Sequence, residues 1–244
     1  TTDGERRIDM ERRKFLGAVT AFAGATFSAQ ALGAFGGLDK IGGALGGGNG
    51  GAGAASWKDI AKSFGEAKAS FAATAQEQAL IAADIADALD LKSEAEALRG
   101  EAGNLAEKGD AMGSGDLKAV AENSASTQAL IEAKLQESEA LTDEQKAALG
   151  KAAADYMPTL ISGVSVAMAV KDTVQNASGL GAPGFRDGRA AISAAKDIPV
   201  LGPKIIKFLI DSAKTGKSLM SLMKTKGVAT PDDSEMDSQL AGFA

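Results

Sequence analysis

The chain has 244 residues and a net charge of −6, with no cysteine, no histidine, one tryptophan and one tyrosine. Without cysteine it can form no disulfide, thiolate nucleophile, iron–sulfur cluster or cysteine-ligated zinc site. Without histidine it can form no Ser-His-Asp triad and no imidazole-ligated metal or haem. The sequence also contains no EF-hand loop and no phosphate- or dinucleotide-binding glycine motif, so we predict no cofactor and no metal.

The remaining composition favours helices. Alanine, leucine, glutamate and lysine dominate, and all four are good helix formers. No stretch shows the alternating pattern of a half-buried strand. The sequence predicts an all-α fold, an antiparallel bundle of about four long helices with one short extra helix between the third and the last.

Residues 11–31 read ERRKFLGAVTAFAGATFSAQA. They combine an arginine pair, a following Phe-Leu, a modest apolar run and an A-x-A pattern, at Arg12, Arg13, Phe15, Leu16, Ala29 and Ala31. This segment resembles a twin-arginine translocation signal peptide. Glu11 and Gly17 depart from the usual motif, while the two arginines and Phe-Leu retain it.

The resemblance implies export across a bacterial inner membrane, with the twin-arginine export machinery as partner of the precursor. Residues 1–31 would be the signal, cleaved near Ala31, and the product would lie in the periplasm or outside the cell. A Sec-type signal would lead to the same destination. The alternative is an ordinary amphipathic N-terminal helix.

Residues 32–56 are rich in glycine and alanine, which predicts a flexible spacer between the signal and the domain. Apolar residues nevertheless recur three and four apart, at Leu32, Phe35, Leu38, Ile41 and Leu45. The alternative is therefore a weak amphipathic helix that contacts a membrane or packs on the domain.

The bundle is predicted over residues 57–228. A near-heptad stripe begins at Trp57, behind Ser56 as N-cap, and its helix is expected to continue to Lys108. A turn at 109–116 precedes a second helix, with its apolar face from Leu117 to Leu141.

The third helix is expected to begin with a capping box formed by Thr142 and Gln145. Pro158 should kink this helix or restart it. Residues 157–170, which contain this proline, would form a helix that is apolar on nearly all of its faces. Such a helix is typical of a buried core. The alternatives are a wall of a ligand cavity and a membrane-inserting segment.

After a loop at 176–189, a short helix is predicted at 190–196, followed by a break at 197–204. Pro203 suits the first turn of a last helix, which should end at Gly227. Residues 229–244 are acidic and are predicted to form a disordered tail.

Charge is distributed unevenly along the bundle. Residues 57–155 hold 19 acidic and 10 basic residues, whereas residues 196–226 hold 2 acidic and 7 basic ones. The basic helix either packs among acidic neighbours or binds an anionic surface, such as lipid head groups or an acidic partner. The candidate residues for that binding are Lys204, Lys207, Lys214, Lys217 and Lys224.

Two functions remain in view. The first is a non-enzymatic envelope protein that binds an apolar or lipid-like ligand, or docks on a membrane or protein partner. Its candidate ligand-lining residues are Leu160, Ile161, Val164, Met168, Phe208 and Met220. The second is a scaffold that self-associates into a homo-oligomer through its heptad faces.

Methionines 157, 168, 220 and 223 would give the binding protein an adaptable surface, or would simply fill the core. A catalytic role is a third interpretation, although no spacing singles out an acid–base pair. Paired carboxylates occur at Glu94 with Glu96 and at Asp84 with Asp87, and a cleft near Asp155, Tyr156 and residues 182–189 would be the place for catalysis. No nucleic acid partner is predicted, since the basic helix lacks interleaved aromatic residues.

Overall fold

The computed structural model describes residues 56–243, which form six α-helices and no strand. The helices are α1 (Trp57–Ala88), α2 (Lys92–Lys108), α3 (Ser114–Glu137), α4 (Asp143–Ser178), α5 (Gly188–Thr225) and α6 (Ser234–Ala241). Short 3₁₀ turns lie at Gly109–Ala111 and Phe185–Asp187. The predicted all-α bundle is confirmed. The signal and spacer predictions concern residues 1–55, which lie outside the described part.

The centre of the bundle consists of α1, α4 and α5, which pack against one another. Helix α2 folds back on α1, α3 lies mainly against α5, and α6 packs against α4. The heptad stripe of α1 faces inward, and its fully buried members include Ile60, Phe71 and Ile85. The stripe predicted from the sequence therefore serves the interior of the fold.

Capping boxes begin two of these helices. The Ser56 N-cap and the Thr142–Gln145 box were predicted, whereas the part of Asp59 in the first box was not. At α1 the amide of Asp59 donates to the Ser56 hydroxyl over 3.3 Å. At α4 the amide of Gln145 donates to the Thr142 hydroxyl over 3.2 Å, and the Gln145 side chain accepts from the Thr142 amide over 3.0 Å. Each pair satisfies amide groups that the helix itself leaves without partners.

Helices α4 and α5 approach closely at two glycines of α5. A β-carbon at Gly202 would come within 2.5 Å of Val174, and one at Gly216 would overlap Leu160 and lie 3.2 Å from Tyr156. Since Leu160 and Tyr156 are fully buried, neither side chain has space into which it could retreat.

The expectation of one helix from Trp57 to Lys108 is wrong. The chain breaks after Ala88, where Asp90 adopts a positive φ of 61°, and α2 turns back along α1. Aspartate tolerates this left-handed conformation better than most residues, so the break needs no glycine or proline. Gly100 and Gly103 lie inside α2 and do not end it.

Prolines do not interrupt the last two long helices. Helix α4 passes through Pro158 without a split, and α5 contains both Pro199 and Pro203, so the separate short helix at 190–196 is wrong. All three prolines are exposed. The carbonyl that each one leaves unpaired therefore lies on the solvent side, while the opposite face of the helix remains packed.

Helix α4 is, among the described residues, the one helix that has the length and composition to cross a membrane. Its most apolar window has a mean hydropathy of 1.3, and 56% of that window is buried inside the bundle. Leu160, Val164 and Val170 are fully buried there. In this fold the apolar segment is the core helix, as the sequence favoured.

The expectation of a disordered tail is wrong for residues 234–241, which form α6. Met236 is fully buried, and Leu240 and Phe243 are half-buried against the core. These residues follow one another at spacings of four and three, which places them on one face of a helix. The acidic residues around Met236, at Asp232, Asp233, Glu235 and Asp237, concealed that pattern.

We expect the Gly216→Ala substitution to lower the free energy of unfolding by about 1–3 kcal/mol, because it overfills a close helix contact. The matched control is Gly65→Ala in α1, where an added β-carbon meets nothing within 4 Å. That variant should gain up to about 1 kcal/mol from helix propensity alone. Urea unfolding of both variants measures the difference. Equal effects would contradict the close contact of α4 and α5.

Candidate functional site

Helix α3 packs on the bundle at its two ends, and its middle section has no buried side chain. Only four of its 24 residues are buried, Leu117 and Val120 near the start and Ile131 and Leu135 near the end. The Lys226 ammonium donates to the backbone oxygen of Ser138 over 2.8 Å and so fixes the end of the helix. The ten residues between Val120 and Ile131 include no buried side chain.

A groove of about 360 Å³ lies between this middle section of α3 and helix α5. Its apolar surface comes from Leu117, Ala121 and Ala125 on α3 and from Phe208 on α5. Polar side chains share the walls, and they are Ser124, Gln128, Ser212 and Thr215. The groove exists because the small α3 side chains do not reach α5 at this level.

Phe208 joins the groove to the core. Its ring meets the buried Phe71 ring of α1 edge-to-face, with centroids 5.4 Å apart and planes at 80°. Aromatic pairs prefer this arrangement, because the positive edge of one ring meets the negative face of the other. The floor of the groove is therefore held in place by the core of the bundle.

Lysines surround the groove at Lys118, Lys204 and Lys207, and Asp211 is the single carboxylate in its lining. Asp211 accepts from the Lys207 ammonium over 2.5 Å. Lys204 donates to the Ser114 hydroxyl, a neutral partner. Lys118 lies 3.6 Å from Glu122, in a pair that is largely exposed and therefore weak. The rim thus carries a net positive charge above an apolar floor.

Behind the groove lies the buried phenol of Tyr156. The amide of Gln128, one of the groove residues, donates to its hydroxyl over 3.3 Å. Burial raises the pKa of Tyr156 to about 12, and the Gln128 hydrogen bond opposes this only in part. The phenol is therefore neutral at physiological pH.

A polar seam continues between α1 and α4. The Thr74 hydroxyl and the Gln78 amide nitrogen are buried without a hydrogen-bond partner among the described residues. Burial also raises the pKa of the half-buried Glu77 carboxyl, against a hydrogen bond from Thr159. The interface of α1 and α4 therefore contains buried polar groups as well as apolar ones.

The predicted basic residues fall into separate places. Lys204 and Lys207 line the groove, whereas Lys214 lines a second groove beside α6. Lys217 forms a salt bridge with Asp237 and lies 3.5 Å from Asp233. For this lysine the structure therefore agrees with the alternative in which the basic helix packs among acidic neighbours. Lys224 is exposed near the end of α5 and lines neither groove.

The predicted apolar lining set is not brought together around these grooves. Leu160, Val164 and Met220 are buried core residues, and Ile161 and Met168 are half-buried against the core. Of the six candidates only Phe208 lines a described groove. Met157, Met220 and Met223 are also buried, so these methionines fill the core.

The residues considered for catalysis also lie apart. Asp84 and Asp87 both bind Arg99, at 3.2 and 2.6 Å, so this pair ties α2 to α1. Asp155 is exposed and pairs with Lys151 over 2.9 Å. The loop at 182–189 follows the far end of α4, more than about 30 Å from Tyr156 at about 1.5 Å per helical residue. Within residues 56–243 no group of acidic residues could hold a metal ion.

Of the twelve residues that line this groove, sequence reasoning proposed only Lys204, Lys207 and Phe208 as site residues. It missed the other nine, which include the polar residues Lys118, Ser124, Gln128, Asp211, Ser212 and Thr215. The sequence did contain one sign of the groove, because the apolar stripe of α3 is interrupted between Val120 and Ile131. An interrupted stripe indicates a part of a helix that does not fill its interface. The opposing helix could not be identified without the tertiary structure.

The buried phenol provides a direct test, because Tyr156 is the only tyrosine. We expect alkaline titration, followed by phenolate absorbance, to show a midpoint near 12. The unfolded chain loses this proton from about pH 10, so the free energy of unfolding should fall by up to about 3 kcal/mol between about pH 10 and 12. The Tyr156→Phe variant should lack that component of the loss. A midpoint near 10 would contradict burial of the phenol.

Comparison with known proteins identifies no relative. No family model, no curated protein and no solved structure matches the chain.

Proposed function

We propose that this protein is an exported, non-enzymatic binding protein for an amphiphilic anion, which it holds in the groove between α3 and α5. The ligand combines an apolar body with one anionic head group. Its body lies on Phe208 and the small side chains of α3, and its head group meets Lys204 and Lys207.

The observation that carries this proposal is an apolar floor beneath a rim of lysines. A volume of about 360 Å³ falls within the range of small-molecule sites, which is about 300–1,000 Å³. The hydroxyls of Ser124, Ser212 and Thr215 add hydrogen-bond capacity close to the lysines. Apolar burial would supply affinity, while the cations would select for an anion and orient it.

Binding accounts for the groove better than catalysis does. Its single carboxylate, Asp211, is paired with Lys207 and is therefore not placed as a free general base. The buried Tyr156 stays protonated at physiological pH because its pKa is raised to about 12. These groups suit the recognition of a charge more than the transfer of a proton.

The scaffolding alternative remains a second proposal with less support. The heptad stripe of α1, on which it was based, is buried in the bundle against α4 and α5. Self-association would need another surface. Leu130 and Val200, the large apolar residues exposed among those described, lie on different helices and are single residues.

Isothermal titration calorimetry with dodecyl phosphate tests the binding proposal. We expect the double variant Lys204→Gln/Lys207→Gln to bind at least about tenfold more weakly, since tenfold corresponds to only about 1.4 kcal/mol. Lys224→Gln is the matched control, because this exposed lysine of α5 lines neither groove. An equal loss of affinity in the double variant and in the Lys224→Gln control would indicate nonspecific charge attraction. Absence of binding to the unaltered protein would refute the proposal.

Export is the other part of the proposal, and it depends on the arginine pair of the signal-like segment. We expect the Arg12→Lys/Arg13→Lys variant to accumulate as uncleaved precursor in the bacterial cytoplasm. The unaltered protein should be recovered from the exported fraction with its N-terminus near Leu32. Lys14→Arg is the control and should leave export intact. Unchanged export of the double variant would remove twin-arginine transport from the proposal and leave a Sec-type route.

A further inference from the structure

A second groove lies on the other flank of α5, between this helix and α6, and has a volume of about 510 Å³. Its lining is mainly apolar and comprises Pro203, Ile206, Ile210, Leu240 and Phe243. Lys214 stands beside these residues. Lys207 and Asp211 line both grooves, so the two grooves meet at this pair.

The wall of the second groove is held by specific contacts. The Lys171 ammonium lies 5.1 Å from the centroid of the Phe243 ring, within the range of a cation–π interaction. Lys217 on α5 binds Asp233 and Asp237, which flank the buried Met236 of the α6 region. Helix α6 is therefore fixed to both α4 and α5, and it provides an outer side for the groove.

A charged ridge separates the two grooves. Lys204, Lys207, Asp211 and Lys214 follow one another at spacings of three, four and three residues, so they share one face of α5. Three cations and one anion leave this ridge positive. Lys214 has no salt-bridge partner among the described residues, and Lys204 has only the Ser114 hydroxyl. An anionic group above Lys207 could therefore form ion pairs with Lys204 and Lys214 as well.

We propose that the ligand is an anionic lipid with two acyl chains, which straddles α5. Its phosphate lies over the Lys204, Lys207 and Lys214 ridge, and one chain enters each groove. Phe208 meets the chain on the α3 side, and Ile206 and Ile210 meet the chain on the α6 side. This inference rests on the proposed function and specifies its ligand class.

The test compares two soluble phosphates that differ only in the number of chains, dihexanoyl phosphatidic acid and monohexanoyl lysophosphatidic acid. Both are titrated calorimetrically into the full chain below their micellar concentrations. We expect the two-chain lipid to bind at least about tenfold more tightly, because a second chain adds buried apolar area.

Filling either groove should remove this advantage while leaving the one-chain lipid bound. Ala125→Phe fills the α3 side and Ile206→Trp fills the α6 side, at an exposed and a half-buried position. Leu130→Trp is the matched control, since Leu130 is 46% exposed on α3 and lines neither groove. If a filling variant does not fold, as judged by circular dichroism, the comparison of the two lipids on the unaltered protein decides alone.

The outcomes separate the two proposals. Equal affinities for the two lipids would overturn the two-chain inference and leave an amphiphile-binding protein. Binding of neither lipid would overturn both proposals. A two-chain advantage that persists in both filling variants would locate the second chain elsewhere and overturn the straddling arrangement.

Discussion

The close contact of α4 with α5 is the constraint on which the rest of this fold depends. Gly202 and Gly216 leave no side chain at the points where Val174 and Leu160 cross α5. The two longest helices can therefore pack closely and fix their relative position along the axis. That position determines which residues of α5 face the core. Lys204 and Lys207 are among the residues that face α3 and solvent instead.

The grooves follow from how the shorter helices cover this pair. Helix α3 reaches α5 with leucine, valine and isoleucine at its ends, but with alanine and serine in the middle. Helix α6 has only eight residues and covers only part of the other flank of α5. An apolar face of α5 is thus enclosed on two sides without being filled. Lysines at the boundary give the two grooves a positively charged rim.

Local rules predicted much of the fold, and particular residues show where they stopped. The Ser56 N-cap, the Thr142 capping box and the stripe of α1 depend on neighbouring residues, so the sequence was sufficient. The break at Asp90 had no glycine or proline to mark it. Pro199 and Pro203 indicated a break, but tertiary burial of Ile198, Leu201 and Ile205 on the opposite face keeps α5 continuous.

The candidate site was less predictable, because a groove is a property of two helices and not of one. Lys204, Lys207 and Phe208 were identified from the basic, amphipathic pattern of α5. Their partners Ser124 and Gln128 sit on a helix whose neighbour no local pattern specifies. Leu160 and Val164 were assigned to a ligand because their helix is apolar all round, yet the same property suits a core helix surrounded by others.

The sparse anchoring of α3 gives the bundle an unequal distribution of local stability. Helices α1, α4 and α5 exclude water along most of their lengths, whereas the middle of α3 is in contact with solvent. Amide hydrogens of α3 should therefore exchange through a local opening that leaves the three central helices folded. Such an opening widens the groove without unfolding the protein. A ligand that bridges α3 and α5 would slow this exchange selectively, and the bundle would become more rigid when loaded.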